Sequence, residues 1–238
     1  MKTPHAHPWN LDSSQARELQ IRLSNDVIRY TCGTDVKLIA GVDVSVSRFS
    51  RAGRAAVVVL EYPSLELCEV SVVEGDIDFP YIPGLLSFRE APLALKAWKR
   101  LKLHPDLLMV DGQGIAHPRR MGIASHLGLL LNIPSIGCAK SRLIGTHSSL
   151  PEKTGSYRLL RERDEIIGAA VRTKHAVKPV YVSIGHMVDL DSAISLVLGC
   201  CRSYRLPQPT RLAHMAAAGS SRLAGYRNMS DKQKLQRG

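Results

Sequence analysis

The chain has 238 residues, with 32 Lys+Arg against 21 Asp+Glu and a formal net charge of +11. That excess favours polyanionic partners, nucleic acid first, because neutralising phosphates releases counterions. A mean hydropathy of −0.06, no apolar run near the ~20 residues of a membrane span, and no secretory core in Met1-Lys-Thr-Pro-His-Ala-His-Pro8 argue against a membrane partner or export. A cytoplasmic monomer is expected.

The five cysteines, Cys32, Cys68, Cys138, Cys200 and Cys201, include no C-x-x-C pair. An odd number without that spacing fits reduced thiols and argues against a zinc site. Cys138 lies in an apolar run and reads as a small core residue.

From Asp12 to Tyr30, Leu19, Leu23, Val27 and Ile28 recur at helical spacing, with Asp12 or Ser13 as N-cap and Gly33 as the stop. Leu38 to Val46 reads as a strand with Asp43 in its middle. Ala55 to Tyr62 and Leu65 to Val73 read as two more, joined by a tight turn at Tyr62-Pro-Ser-Leu65 into an antiparallel meander. Phe79-Pro-Tyr-Ile-Pro-Gly84 interrupts regular structure. Ser87-Phe-Arg-Glu90 has capping-box spacing, which predicts a helix to about Leu103 with Pro92 in its first turn.

Leu107 to Val110 is a short apolar run that suits a strand buried on both faces, followed by a turn and a helix from Met121 to Leu131. Pro134 to Lys140 is a further buried strand. Tyr157–Leu160 and Ile166–Val171 suggest a hairpin, and Val180–Ile184 another strand. Asp189 or Asp191 should cap a helix reaching Tyr204, and a last short helix should follow Pro207. One domain over 1–218 is expected. Residues 219–238 should form a flexible basic tail, with Arg222, Arg227, Lys232, Lys234 and Arg237 adding nonspecific nucleic-acid affinity.

A meander continuing into parallel strands with crossover helices predicts an α/β ribonuclease H-like mixed sheet flanked by helices. There the first and fourth strands are neighbours, which brings Asp43 and Asp111 together. Ligands of open α/β sheets bind beyond the carboxyl ends of strands. Two carboxylates side by side repel, and a divalent cation relieves the repulsion. Oxygen ligation favours magnesium or manganese. Each acid also has a plainer reading: Asp43 paired with an arginine or backbone donors, Asp111 as a turn residue, Glu90 as a helix cap. Near the other two, Glu90 becomes a third ligand, and three carboxylates with metal activate water against a phosphodiester.

Lys140 ends a strand parallel to the Asp111 strand and points at the same edge. His117 and His214 look loop-associated and suited to phosphate contact or proton transfer, while His126, inside an apolar helix, reads as core. Tyr81, stiffened by Pro80 and Pro83, is either a wedge for a gap left by an extracted base or a staple onto the next helix.

Several stretches then converge on one family. Ile39-Ala-Gly-Val-Asp-Val44, Pro80-Tyr-Ile-Pro-Gly-Leu-Leu-Ser-Phe-Arg-Glu90 and Val110-Asp-Gly-Gln-Gly-Ile-Ala-His-Pro-Arg-Arg120 resemble endonuclease V, the deoxyinosine 3′ endonuclease. So do Gly122-Ile-Ala-Ser-His-Leu-Gly128, Ile133-Pro-Ser-Ile-Gly-Cys-Ala-Lys140 and Tyr204-Arg-Leu-Pro-Gln-Pro-Thr-Arg211, and the likeness spans Leu38 to His214. The resemblance implies an Mg2+-dependent enzyme, Mn2+ substituting, that cleaves DNA one nucleotide 3′ of deaminated adenine. It implies Asp43, Glu90 and Asp111 as metal ligands with Lys140 and His214 as supporting catalytic residues. It further implies Pro80, Tyr81, Ile82 and Pro83 as the wedge loop, His117 as a contact near the scissile phosphate, and Gly84, Leu86, Gly112 and Ile123 as the base pocket. Gln113 departs from the histidine of some members. An inosine-specific ribonuclease, a flap or branch nuclease of the same fold and a non-catalytic reader are the competing readings.

Overall fold

The computed structural model describes residues 5–31, 35–46, 51–220 and 223. The elements in order are α1 (Ser13–Ser24), β1 (Leu38–Val46), β2 (Ala52–Glu61), β3 (Leu67–Asp76), α2 (Leu86–Trp98), β4 (Leu107–Val110), α3 (Ile123–Leu131), β5 (Ser135–Ala139), β6 (Tyr157–Glu162), β7 (Glu165–Val171), β8 (Val180–His186), α4 (Leu190–Gly199) and α5 (Gln208–Ala217). The strands form one mixed sheet in the order β3-β2-β1-β4-β5-β8-β7-β6. β1 to β3 are the expected antiparallel meander, and β4 lies parallel between β1 and β5. This is the ribonuclease H-like arrangement that the order of elements predicted.

Alternation along the strands sorts the core onto two faces. Ile39, Leu107 and Met109 join Ala213 and Ala216 of α5 in one cluster. Ala40, Val42, Leu108 and Val110 join Ala94 of α2 and Leu127 of α3 in the other. β4 is buried along its whole length, as expected of a parallel strand covered on both faces. Burying a leucine or isoleucine fully contributes roughly 2 kcal/mol.

Several boundaries differ from the sequence expectation. α1 begins with the Asp12 capping box but stops at Ser24 rather than Tyr30. Beyond it the backbone of Ile28 is taken by distant partners, His186 Nδ1 at 3.2 Å and Met187 N–H at 2.8 Å. Gly33, the predicted stop, lies outside the described residues. The Ser87–Glu90 capping box is a misreading: the N-cap of α2 is Leu85, without a side-chain cap. The Pro83-Gly84 turn starts the helix early, with Leu85 N–H donating to Ile82 O at 2.9 Å. Ser87 therefore lies inside the helix with its hydroxyl buried and unpartnered among the described residues, and Pro92 falls in the second turn. α2 ends at Trp98 and α4 at Gly199, each several residues sooner than predicted. Of the tail, Leu223 is buried in the larger cluster; the basic residues from Arg222 onward lie outside the described residues.

Candidate active site

The parallel strands β1, β4 and β5 direct their carboxyl ends to one edge of the sheet. Val42 pairs with Val110, so Asp43 and Asp111 each follow a paired position, and Asp111 N–H donates to Val42 O at 3.1 Å. Lys140 follows β5, and its Nζ lies 2.5 Å from Asp111 Oδ2. The approach is poorly directed for a hydrogen bond, so that buried oxygen keeps no aligned donor.

His214 was expected on a loop but lies on α5, with Nδ1 2.7 Å from Asp43 Oδ2. Gly41 lets the helix come this close. A Cβ there would sit 2.0 Å from Pro209 O, so only a bare α-carbon allows α5 onto β1. Gly41 and Asp43 are two residues apart and share a face, which aims the carboxylate at that helix. Nδ1 must carry hydrogen to serve Asp43, so its 3.4 Å approach to Lys140 Nζ is proximity between two donors.

Ligand atoms of Asp43, Asp111 and His214 lie within 4.8 Å of one another. This acidic cluster could bind a metal ion. Glu90 does not belong to that set, although it feels both carboxylates from the start of α2: burial first, then the charge of Asp43, pushes its carboxyl up to about 8. Burial also raises the Asp111 carboxyl, while Lys140 pulls it back down.

A cleft of about 400 Å³ adjoins the acids, lined by Asp111 and Lys140 together with Tyr81, Ile82, Pro83, Gly84, Leu86, Gly112, Gln113, His117 and Ile123. The structure thus brings the expected pocket and wedge residues to one place, except Pro80, which borders the neighbouring groove instead. Tyr81 is 71% exposed and so is no staple onto α2. His117 lines the cleft but is largely buried, and its Nε2 lies 3.0 Å from Gly84 O. Burial and then Arg119 depress its pKa to about 4, so the ring is neutral, with Nε2–H donating to that carbonyl and Nδ1 accepting from Arg119 N–H at 3.2 Å. His126 is core, as expected. Two residues not singled out in the sequence act beside His117 here: Arg119 bonds its ring, and Gln20 bonds the same Gly84 carbonyl. Gln20 left one signal, a polar side chain on the apolar stripe of Ala16, Leu19 and Leu23.

The family model described as Endonuclease V matches residues 21–215. The endonuclease V of Dehalococcoides mccartyi is 52% identical over 220 residues, covering 92% of this chain and 98% of its own. The crystal structure of the Streptomyces avermitilis endonuclease V superposes with a TM-score of 0.84 at 38% identity, covering 91% of this chain and 96% of that one. That of Ciona intestinalis, in complex with a 24mer DNA containing an inosine followed by a ribo-adenosine, has a TM-score of 0.75 at 28% identity, covering 89% and 98%.

Proposed function

The chain belongs to the endonuclease V family and is a hydrolase of that family, and from that premise we propose its substrate and reaction. It recognises hypoxanthine in DNA and hydrolyses the phosphodiester one nucleotide 3′ of it, leaving a 3′-hydroxyl and a 5′-phosphate, as a step in DNA repair. The observation that carries this reading is the meeting of Asp43, Asp111 and His214 at one end of a cleft walled by the Tyr81 loop.

The donor set fits a hard divalent cation, Mg2+ or Mn2+, because its carboxylate oxygens are close together and Asp111 Oδ2 is buried without an aligned donor. Asp43 and Asp111 would hold the ion, with Glu90 as the third carboxylate. When bound, it supplies positive charge against the phosphate and acidifies the attacking water. Lys140 offers its ammonium to a phosphate oxygen at the same edge. His214, steadied by Asp43 through Nδ1, moves a proton with its other ring nitrogen. Tyr81 fills the gap left in the stack by the extruded base.

The walls at Gly84 and Gly112 present backbone to the base. Hypoxanthine offers an N1–H donor and an O6 acceptor but lacks the exocyclic amine of guanine, so a narrow pocket admits one and rejects the other by size. Adenine presents an acceptor at N1, and leaving a buried polar group unpaired is heavily penalised.

Single-turnover cleavage of matched DNA and RNA oligonucleotides, each with one central inosine, with Mg2+ or chelator, tests the reading. Mg2+-dependent cutting of DNA one nucleotide 3′ of inosine is expected. Cutting of RNA alone would keep the chemistry and change the substrate, and cutting indifferent to inosine would overturn the reading.

A further inference from the structure

One wall of the cleft is secured by a residue just outside the family match, which begins at residue 21. Gln20 projects from α1 and is 1% exposed. Its Nε2 donates to Gly84 O at 3.0 Å and to Met121 O at 3.0 Å, while its Oε1 accepts from Arg119 Nε at 2.5 Å. Reversing the amide would set its oxygen against two carbonyls, so the orientation is fixed by its partners.

Gly84 and Met121 both line the cleft but come from different segments of the chain. Gly84, at a φ of +78°, follows the Tyr81 loop and precedes α2, whereas Met121 leads into Gly122 and Ile123. One amide nitrogen joins the two segments. Its grip is reinforced at the Gly84 carbonyl, which also receives Arg119 Nη2 at 2.7 Å and His117 Nε2 at 3.0 Å. Three donors on one acceptor over-determine the position of that carbonyl, since two lone pairs are all it has.

We propose that Gln20 and Arg119 are positioning residues for base selection, with Gln20 as the tie that sets the width of the pocket. The proposal rests on the hypoxanthine reading above. The tie holds the loop wall against the Met121–Ile123 wall at a separation that leaves no room for the exocyclic amine of guanine. Arg119 acts through the amide of Gln20 and the Gly84 carbonyl, and neither residue touches the reacting phosphate.

The test compares wild type with Gln20→Leu, which keeps bulk and loses all three hydrogen bonds. Duplexes carry a single inosine, guanosine or adenosine at one site, and kcat/KM is measured for each. The preference for inosine over guanosine should fall about tenfold or more, the range that one small group commands in a pocket, with a smaller change against adenosine. An unchanged preference, or an equal fall on all three substrates, would overturn the proposal. Arg119→Lys, which removes the Nε–H bond to Gln20 and keeps the charge, should shift the preference the same way and serves if Gln20→Leu does not fold. Hydrogen exchange of the 80–88 amides without nucleic acid separates this idea from the functional reading. It should quicken about tenfold when the tie is cut, whereas unchanged exchange refutes the tie even if the wild type cleaves at inosine. If the wild type ignores inosine but exchange quickens, the functional reading fails and the tie stands.

Discussion

Replacing Glu90 by glutamine keeps the shape of the side chain and removes a carboxyl that the folded protein holds at about 8, from an ordinary 4.5. Burial is the main cause, and the negative charge of Asp43 is the second. Because the folded value lies above the unfolded one, the contribution of Glu90 is fully present below pH 4.5 and is lost as pH rises through 8. At about 1.4 kcal/mol per unit the loss amounts to about 5 kcal/mol across that window. Urea unfolding of both proteins from pH 5 to pH 9, with chelator, measures it. Glu90→Gln should gain several kcal/mol on the wild type between those limits. His117, His126 and His186 titrate in the opposite sense, burial lowering them to about 4, 3 and 4; their stability is lost as pH falls below 6.5, but they are common to both proteins and cancel. Mg2+ at pH 9 should restore more stability to the wild type than to the variant, since a ligating carboxylate binds metal in place of a proton. Parallel pH profiles for the two proteins would refute the buried-charge argument.

Asp43→Ala and Asp111→Ala should each lower single-turnover cleavage at least about a thousandfold while gel-shift binding of inosine DNA persists; full activity in either would sink the metal assignment. Tyr81→Ala should weaken discrimination and hasten product release more than it slows the chemical step, and unchanged release kinetics would count against the wedge. Gly41→Ala places a methyl 2.0 Å from Pro209 O, so thermal unfolding should report a loss of about 2–3 kcal/mol together with reduced cleavage. A variant with unaltered Tm would show that α5 is not held by that contact.

The acids were legible because an aspartate inside Ile39-Ala-Gly-Val-Asp-Val44 and another directly after Leu107–Val110 violate an apolar strand pattern, and the order of elements makes those strands neighbours. Lys140 followed from the same edge argument. Local signals misled where tertiary partners outbid them. Ser87 had the right spacing for a cap, but the Pro83-Gly84 turn starts the helix first, and Ile28 gives its backbone to β8 and the loop after it instead of a longer α1. The contact between His214 and Asp43 spans 171 positions and depends on a bare α-carbon at Gly41. No periodicity in the sequence reports such an encounter. Gln20 was hidden for a related reason, since one polar residue on an apolar stripe does not say which carbonyls it will find.

The docking of α5 on β1 also bears on the order in which competence arises during synthesis. The sheet edge carrying Asp43 and Asp111 is complete once Lys140 has left the ribosome, yet the imidazole facing Asp43 belongs to the helix Gln208–Ala217. A nascent chain can therefore assemble its carboxylates well before it acquires the histidine. On the proposed chemistry, a chain that ends before this helix, the last among the described residues, holds the two carboxylates without the imidazole that moves the proton.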